Sequence, residues 1–350
     1  METHLPKNLF GLTLPQLKAE VLALGLPAFT ASQLADWMYK KRVTDIGSMT
    51  NLSKQAREKL QQAYSLHLVP SVSVQTSIDG TKKYLYPTRP QKFIEAAYIP
   101  DNDRATLCVS TQIGCKMGCL FCMTGKQGFQ GNLTTGEILN QMQSLPEFEK
   151  LTNIVYMGMG EPLDNVQAVM DSIEVMTSPW GYDWSPKRIT VSTIGIIPAM
   201  ITFLENSKAH LAVSLHSPFD DERRDIMPIQ SVYPITEVVS NIRRWELGSQ
   251  RRVSFEYIMF KGVNDTPRHA NELVRLLNGI KCRINLIRFH PIPDTPLEGT
   301  ALEDIVDFQN RLKAKGLTVT IRASRGEDIF AACGMLSTKE LIKKQTETDF

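Results

Sequence analysis

From residue 105 onward, strand-length apolar runs alternate with helical stretches, and no other feature of the chain restricts its fold as much. Candidate strands lie at 105–111, 153–159, 188–194, 210–216, 252–259 and 282–289. Amphipathic helices at 136–145, 165–176, 234–247, 267–278 and 302–315 fall between them, and a further strand is expected at 317–322. A helix joining two strands of one sheet is a crossover, so neighbouring strands run parallel and the sheet is covered by helices. About six such units predict an α/β chain folded as a partial (β/α)6 TIM-like barrel, with a doubly wound open sheet as the competing arrangement.

Two different segments precede the alternation. Residues 1–64 read as a small helical N-terminal domain, with apolar residues at helical spacing through Leu14–Leu22 and again around Ala35–Tyr39. A short β connector over 65–100 follows, because Val72–Gln75 and Tyr84–Tyr86 flank Asp79-Gly80, a pair suited to a tight hairpin. The barrel is then expected over 101–325 and a C-terminal extension over 326–350.

Hydrophobic residues at 42% and charged residues at 22% exclude a disordered or fibrous chain. The net charge of +2 is too small to argue for nucleic acid. Residues 1–64 nevertheless hold eight Lys/Arg against five Asp/Glu, a local +3 that includes Lys40-Lys41-Arg42 and gives weak support for phosphate contact. The start has no basic and then apolar leader, and Ile189–Leu204 is too short and too polar to span a bilayer. A cytosolic protein with no membrane contact is expected. In that reducing compartment six cysteines read as metal ligands or reactive thiols rather than disulfides.

Three of the six stand close together. Cys115, Cys119 and Cys122 form C-x3-C-x2-C just after the first barrel strand, and no fourth cysteine lies nearby. Four thiolates would close a [4Fe–4S] cluster for electron transfer, whereas three leave one iron free. S-adenosylmethionine (SAM) can bind that iron, and an electron from the cluster then cleaves its sulfur–carbon bond to release a 5′-deoxyadenosyl radical. A structural zinc loop is the alternative, but it normally offers paired C-x2-C units or closely spaced histidines, and neither is present. Phe121, directly before the third cysteine, makes the loop resemble the radical SAM signature.

Further motifs narrow the resemblance. Arg104-Ala105-Thr106-Leu107-Cys108-Val109-Ser110, Met157-Gly158-Met159-Gly160-Glu161-Pro162, Ser214-Leu215-His216 and Ala331-Ala332-Cys333-Gly334 resemble motifs of the RlmN/Cfr family over roughly residues 92–335. The helical start is similar to that family's amino-terminal module. The resemblance implies a radical SAM barrel that methylates C2 of an adenine in 23S rRNA and of the adenine 3′ to the anticodon in some tRNAs. It also implies two SAM per turnover and an electron donor such as flavodoxin or ferredoxin. By the same resemblance, Cys333 receives a methyl group from one SAM, and the radical from a second SAM takes a hydrogen from it. The carbon then adds to the base. Cys108 would attack the bridging Cys333 sulfur, leaving a Cys108–Cys333 disulfide, and Glu95 matches the position of the proton acceptor. Read without the resemblance, Cys108 is a core residue of an apolar strand, Cys333 a small residue before Gly334, Cys282 a buried apolar residue and Glu95 an exposed strand residue.

In TIM-like folds chemistry gathers at the carboxyl ends of the strands. Gly160, Glu161, Ser192, Ser214, Leu215, His216 and His290 all fall at such ends, on the side of the cysteine loop. The resemblance assigns them to SAM, although His290 stands where relatives often carry Asn, so its contact departs from the pattern. A C8-methylating relative, a radical SAM enzyme for a small molecule and a catalytically silent Fe–S RNA-binding protein are the other readings.

Overall fold

The computed structural model describes residues 6–245 and 251–338. At the amino end, β1 (Lys7–Asn8) and β2 (Tyr64–Ser65) pair in parallel and close a helical unit of α1 (Leu14–Ala23), α2 (Thr30–Ala35) and α3 (Lys54–Ala63). Local chemistry starts these helices where they start. Thr13 and Gln16 form a capping box on α1 with Pro15 in its first turn, and the Ser53 hydroxyl accepts from the Ala56 N–H of α3 at 3.1 Å. Leu17, Val21, Leu34 and Leu60 are buried in a core continuous with that of the barrel. Tyr39 joins the two: its ring lies 5.5 Å from that of Tyr182 and 6.1 Å from that of Trp180, and its hydroxyl donates to the Leu12 carbonyl at 2.7 Å. The basic run is largely engaged, since Lys41 pairs with Asp36 at 3.0 Å and Arg42 pairs with Glu149.

The expected β connector is no separate layer. Its strands β3 (Ser73–Thr76), β4 (Lys82–Arg89) and β5 (Lys92–Asp101) form an antiparallel meander that continues into β6 (Arg104–Cys108). Asp79-Gly80 makes the turn between β3 and β4, and the β5–β6 turn sets Ala97 opposite Cys108. After β6 the chain forms a short antiparallel pair, β7 (Gln112–Ile113) with β8 (Gly131–Asn132), enclosing the cysteine loop and α4 (Met123–Gln127).

Six crossovers follow. Strands β9 (Asn153–Tyr156), β10 (Ile189–Thr193), β11 (His210–Ser214), β12 (Val253–Met259), β13 (Cys282–Arg288) and β14 (Thr318–Ile321) each pair in parallel with their predecessor, β9 with β6. Between them run α5 (Thr135–Gln143), α6 (Val166–Thr177), α7 (Ile197–Asn206), α8 (Asp220–Ile226), α9 (Ile235–Arg244), α10 (Pro267–Leu277) and α11 (Leu302–Ala314). Spatial order equals sequence order from β9 to β14, so there is no switch point and the doubly wound alternative is excluded. All seven residues of β12 are buried, and each large apolar side chain there contributes about 1.5–3 kcal/mol.

Three differences from the sequence reading matter for the site. The expected strands 105–111, 153–159 and 210–216 stop at Cys108, Tyr156 and Ser214, and the residues beyond leave the sheet. Helix α7 occupies a crossover where no helix was named, and α8 is an additional helix ahead of the expected one in the β11–β12 crossover. The expected helix 234–247 ends at Arg244, and its last two residues lie outside the described residues, as do residues 339–350 of the C-terminal extension. Among the described residues no helix is long and apolar enough to cross a membrane.

Candidate active site

The cysteine loop spans Gly114–Cys122 between β7 and α4. Gly114 is required at its start: its φ is +71°, and a Cβ there would lie 1.7 Å from the Gly128 carbonyl oxygen. The Leu120 N–H donates to the Ile226 carbonyl at 3.0 Å, and Met123 N–H donates to the Gly334 carbonyl at 2.7 Å, which ties the loop to the neighbour of Cys333. Phe121 packs edge-on to His216 at 4.8 Å and against Phe260 at 5.7 Å. Cys115 and Cys119 are buried and Cys122 half-buried. Burial pushes the Cys115 thiol up to about 12 and the Cys119 thiol well above its usual value, and mutual repulsion among the three adds to this. Three crowded thiols of this kind ionise when a strongly cationic group binds them, which is what an iron–sulfur cluster provides.

A cavity of about 150 Å³ opens beside the loop. Cys115, Cys119 and Cys122 line it together with Gly160, Glu161, Ser192, Ser214 and His216, so residues from four successive strand ends converge there. Gly160, at φ +99°, has no room for a side chain, since a Cβ would lie 2.5 Å from Gln112 Cβ. The Glu161 carboxylate is held by the protein: it accepts from the Thr193 hydroxyl at 2.6 Å and from the N–H groups of Ile194 and Leu163 at 3.1 Å each, which leaves acceptor capacity toward the cavity. Burial still raises it to about 7.

His216 takes the left-handed conformation at φ +56°, uncommon for a side chain of its size. Asn264 sustains it by donating to the His216 carbonyl at 2.6 Å, and His216 Nδ1 accepts from the Ile258 N–H at 3.0 Å. Burial drops its pKa to about 3, so the ring is neutral and its proton sits on Nε2. Leu215, by contrast, turns into the main core and does not reach the cavity.

A second cavity, of about 360 Å³, adjoins the first. Cys108 and Cys333 both line it, the former buried at the end of β6 and the latter exposed. Cys333, Arg322, Glu256 and Met157 line both cavities, which makes Cys333 part of the wall between them. Burial, and then the nearby Cys333, push the Cys108 thiol up to about 12, while Arg322 acts in the opposite direction. Arg322 is 3.4 Å from Glu256 and donates to the Met157 sulfur at 3.4 Å. His290 lines this second cavity rather than the first, with Nδ1 3.6 Å from Glu327. The sequence reading set it beside the other SAM candidates, whereas in the structure it shares a cavity with Cys333.

Glu95 lies on the wall of neither cavity. It is buried in β5, 3.1 Å from Lys83 Nζ, and accepts from the Ser337 N–H at 3.0 Å, while burial raises its pKa. Cys282 is half-buried against the main core. Sequence reasoning missed Arg223, Glu256, Asn264 and Arg322. Arg223 is fully buried and donates to the carbonyls of Ile194, Ser214 and Leu215 at 3.0 Å each, bracing two strand ends. Nothing in the charged run Asp220–Arg224 signals that burial. Glu256, a lone carboxylate inside an otherwise apolar strand, could have been noticed.

A three-thiol loop at the carboxyl mouth of an open six-crossover barrel defines a radical SAM enzyme, and the Radical SAM superfamily profile matches residues 109–276. A second profile, the ribosomal RNA large subunit methyltransferase N-terminal domain, matches residues 7–66. The chain is 56% identical to a probable dual-specificity RNA methyltransferase RlmN of Parabacteroides distasonis, over 96% of this chain and 98% of that one. It is 41% identical to the dual-specificity RNA methyltransferase RlmN of Bdellovibrio bacteriovorus, over 98% and 86%. The crystal structure of a radical SAM methyltransferase from Sphaerobacter thermophilus superposes with a TM-score of 0.87 at 40% identity, covering 95% and 99%. The chain belongs to the RlmN family of radical SAM RNA methyltransferases, whose cofactors are a [4Fe–4S] cluster and SAM.

Proposed function

We propose that this protein methylates C2 of one adenine in 23S rRNA and of the adenine 3′ to the anticodon in some tRNAs, consuming two SAM per turnover and carrying the methyl group on Cys333. The supporting observation is that Cys333 lines both the cavity of the cysteine trio and the cavity of Cys108. In this reading Cys115, Cys119 and Cys122 hold the cluster, and Gly160, Glu161, Ser192, Ser214 and His216 hold SAM. When bound, these groups supply an electrophilic methyl group and a carbon radical that abstracts hydrogen. An electron donor such as flavodoxin or ferredoxin would reduce the cluster.

The protein's own residues divide the remaining work. Cys333, exposed and lining the cavity together with Arg322, offers its sulfur to the methyl group. Cys108, which lines the same cavity, would attack the Cys333 sulfur, break its bond to the transferred carbon and join the two sulfurs. Burial raises the pKa of Glu95, which makes its carboxylate a stronger base, but it lies behind Ser337, so residues 336–338 must shift for it to serve as proton acceptor. Residues 1–64 act as the RNA-binding module, 65–100 as the connector, 101–325 as the barrel and 326–350 as the segment that carries Cys333. Lys40 is the member of the basic run that remains exposed and forms no ion pair among the described residues.

The test is turnover of the reconstituted enzyme on 23S rRNA fragments and on tRNA, followed by nuclease digestion and mass spectrometry. C2-methyladenosine in both RNAs is expected. C8-methyladenosine would replace the regiochemical reading while leaving the two-cysteine chemistry intact, and SAM cleavage without modified RNA would remove the reading altogether.

A further inference from the structure

The second cavity extends well beyond Cys108 and Cys333. Arg104 begins β6, His210 begins β11, Arg252 directly precedes β12 and Arg283 is the second residue of β13. All four line the cavity, and because these strands run parallel, all lie at its amino end. Cys108 and Arg322 lie at the carboxyl end. Arg104 and Cys108 are four residues apart on one strand, a separation of about 13 Å.

The two ends differ in how their polar groups are satisfied. In the middle of the barrel Glu256 accepts from Ser254 and Asn285 at 2.8 Å each, Thr320 donates to Asn285 at 2.6 Å, and Glu256 faces Arg322. Toward the amino end Arg325 pairs with Asp101 at 2.9 Å, and then the partners run out. Arg104, Arg252 and Arg283 form no ion pair with any described residue, and Arg283 Nε is buried without a hydrogen-bond partner. An unpaired buried donor of this kind is uncommon in a folded protein and calls for a ligand or ordered water. The two carboxylates on the cavity wall, Asp101 and Glu256, are already used. His210 accepts from the Arg252 N–H at 2.8 Å and is held neutral, by burial first and then by Arg252, Arg251 and Lys187, so it offers a further N–H and no negative charge.

We propose that the amino-terminal mouth of the barrel is a phosphate-binding site formed by Arg104, Arg252 and Arg283, with His210 as an additional donor. Guanidinium groups match phosphate oxygens in pairs, and three unpaired ones in one concave mouth repel each other until an anion arrives. A nucleotide presented to Cys333 from the carboxyl end cannot bring its own phosphate across 13 Å or so of barrel, so this phosphate belongs either to a free polyphosphate or to a second stretch of RNA.

Calorimetric titration of the full-length holoenzyme with inorganic pyrophosphate should show one site. Arg104 and Arg252 are exposed, so Arg104→Glu with Arg252→Glu should leave the fold intact by circular dichroism while weakening pyrophosphate at least tenfold, and Arg252→Lys should retain most of the affinity. Arg283→Met should raise the melting temperature of the ligand-free protein and reduce the further rise that pyrophosphate produces. A short single-stranded RNA lacking adenine separates the sources: full displacement of pyrophosphate identifies backbone phosphate, and no displacement identifies a free polyphosphate. Absence of binding at millimolar pyrophosphate, or equal affinity in the double Glu variant, overturns the proposal.

Discussion

On the cluster side of Cys333 the titratable groups are driven to their neutral forms, and on the Cys108 side cations gather. Around the smaller cavity burial raises Glu161 to about 7, lowers His216 to about 3 and suppresses ionisation of all three loop thiols. Around the larger one Arg322 faces both Cys108 and Cys333, and further arginines continue to the amino end. The contrast teaches how one chain can serve two chemistries a side chain apart. A dry, neutral pocket suits radical chemistry that water would quench, while in the cationic pocket the Arg322 guanidinium opposes the burial that keeps Cys108 protonated. Cys333 belongs to both because it lies in the segment that separates them.

The largest effect expected from breaking this division is at the loop. Cys119→Ala should lose iron and SAM cleavage together, since its neighbours alone cannot satisfy the cluster. Iron content and Mössbauer spectra check this, and a full cluster in the variant would count against the assignment.

Next in size is the divergence between Cys333 and Cys108 that the proposed mechanism requires. Cys333→Ala should form no covalent link to RNA, because the transferred carbon has no sulfur to reside on. Cys108→Ala should be isolated attached to RNA, with product falling to background. Denaturing gels with labelled RNA distinguish these outcomes, and free turnover by Cys108→Ala would end the two-cysteine reading.

A smaller effect sharpens the electrostatic half of the comparison. Arg322 lowers the Cys108 thiol that burial raises, so Arg322→Gln should move the thiolate-dependent limb of the pH–rate profile to higher pH. At a fixed pH below that limb, each unit of displacement costs about tenfold in rate. A variant with an unmoved profile and merely lower rate would show that Arg322 only braces Glu256.

The smallest effect concerns stability on the neutral side. Glu161 is raised from 4.5 to about 7 in the folded protein, so between these values the folded state binds more protons than the unfolded one. Stability from this group is present below about pH 4.5 and is lost as pH rises through about 7, by at most about 3 kcal/mol. Denaturant melts of cluster-free protein at pH 5 and 7.5 should show that decline, and Glu161→Gln should flatten it.

Much of this was legible in the residues. The β–α alternation, the Asp79-Gly80 hairpin and the C-x3-C-x2-C loop are local patterns, and the structure has each of them where the pattern lies. Element boundaries were less legible at the carboxyl ends of the strands, where Gly160 and His216 leave extended geometry to line a cavity. Apolar composition there still reads as strand.

The sequence by itself determined the parallel crossovers and the three neighbouring thiols, because backbone periodicity and short spacing act within a few residues. Tertiary structure alone decided that the antiparallel meander extends the same sheet, that Leu215 and Glu95 stand off the cavities and that His290 lines the cavity of Cys108 and Cys333. It alone brought Arg322, Glu256 and Cys108 around Cys333. Those relations depend on how far the sheet curls and which strands become neighbours, and they are set by burial of the whole core rather than by any segment within it.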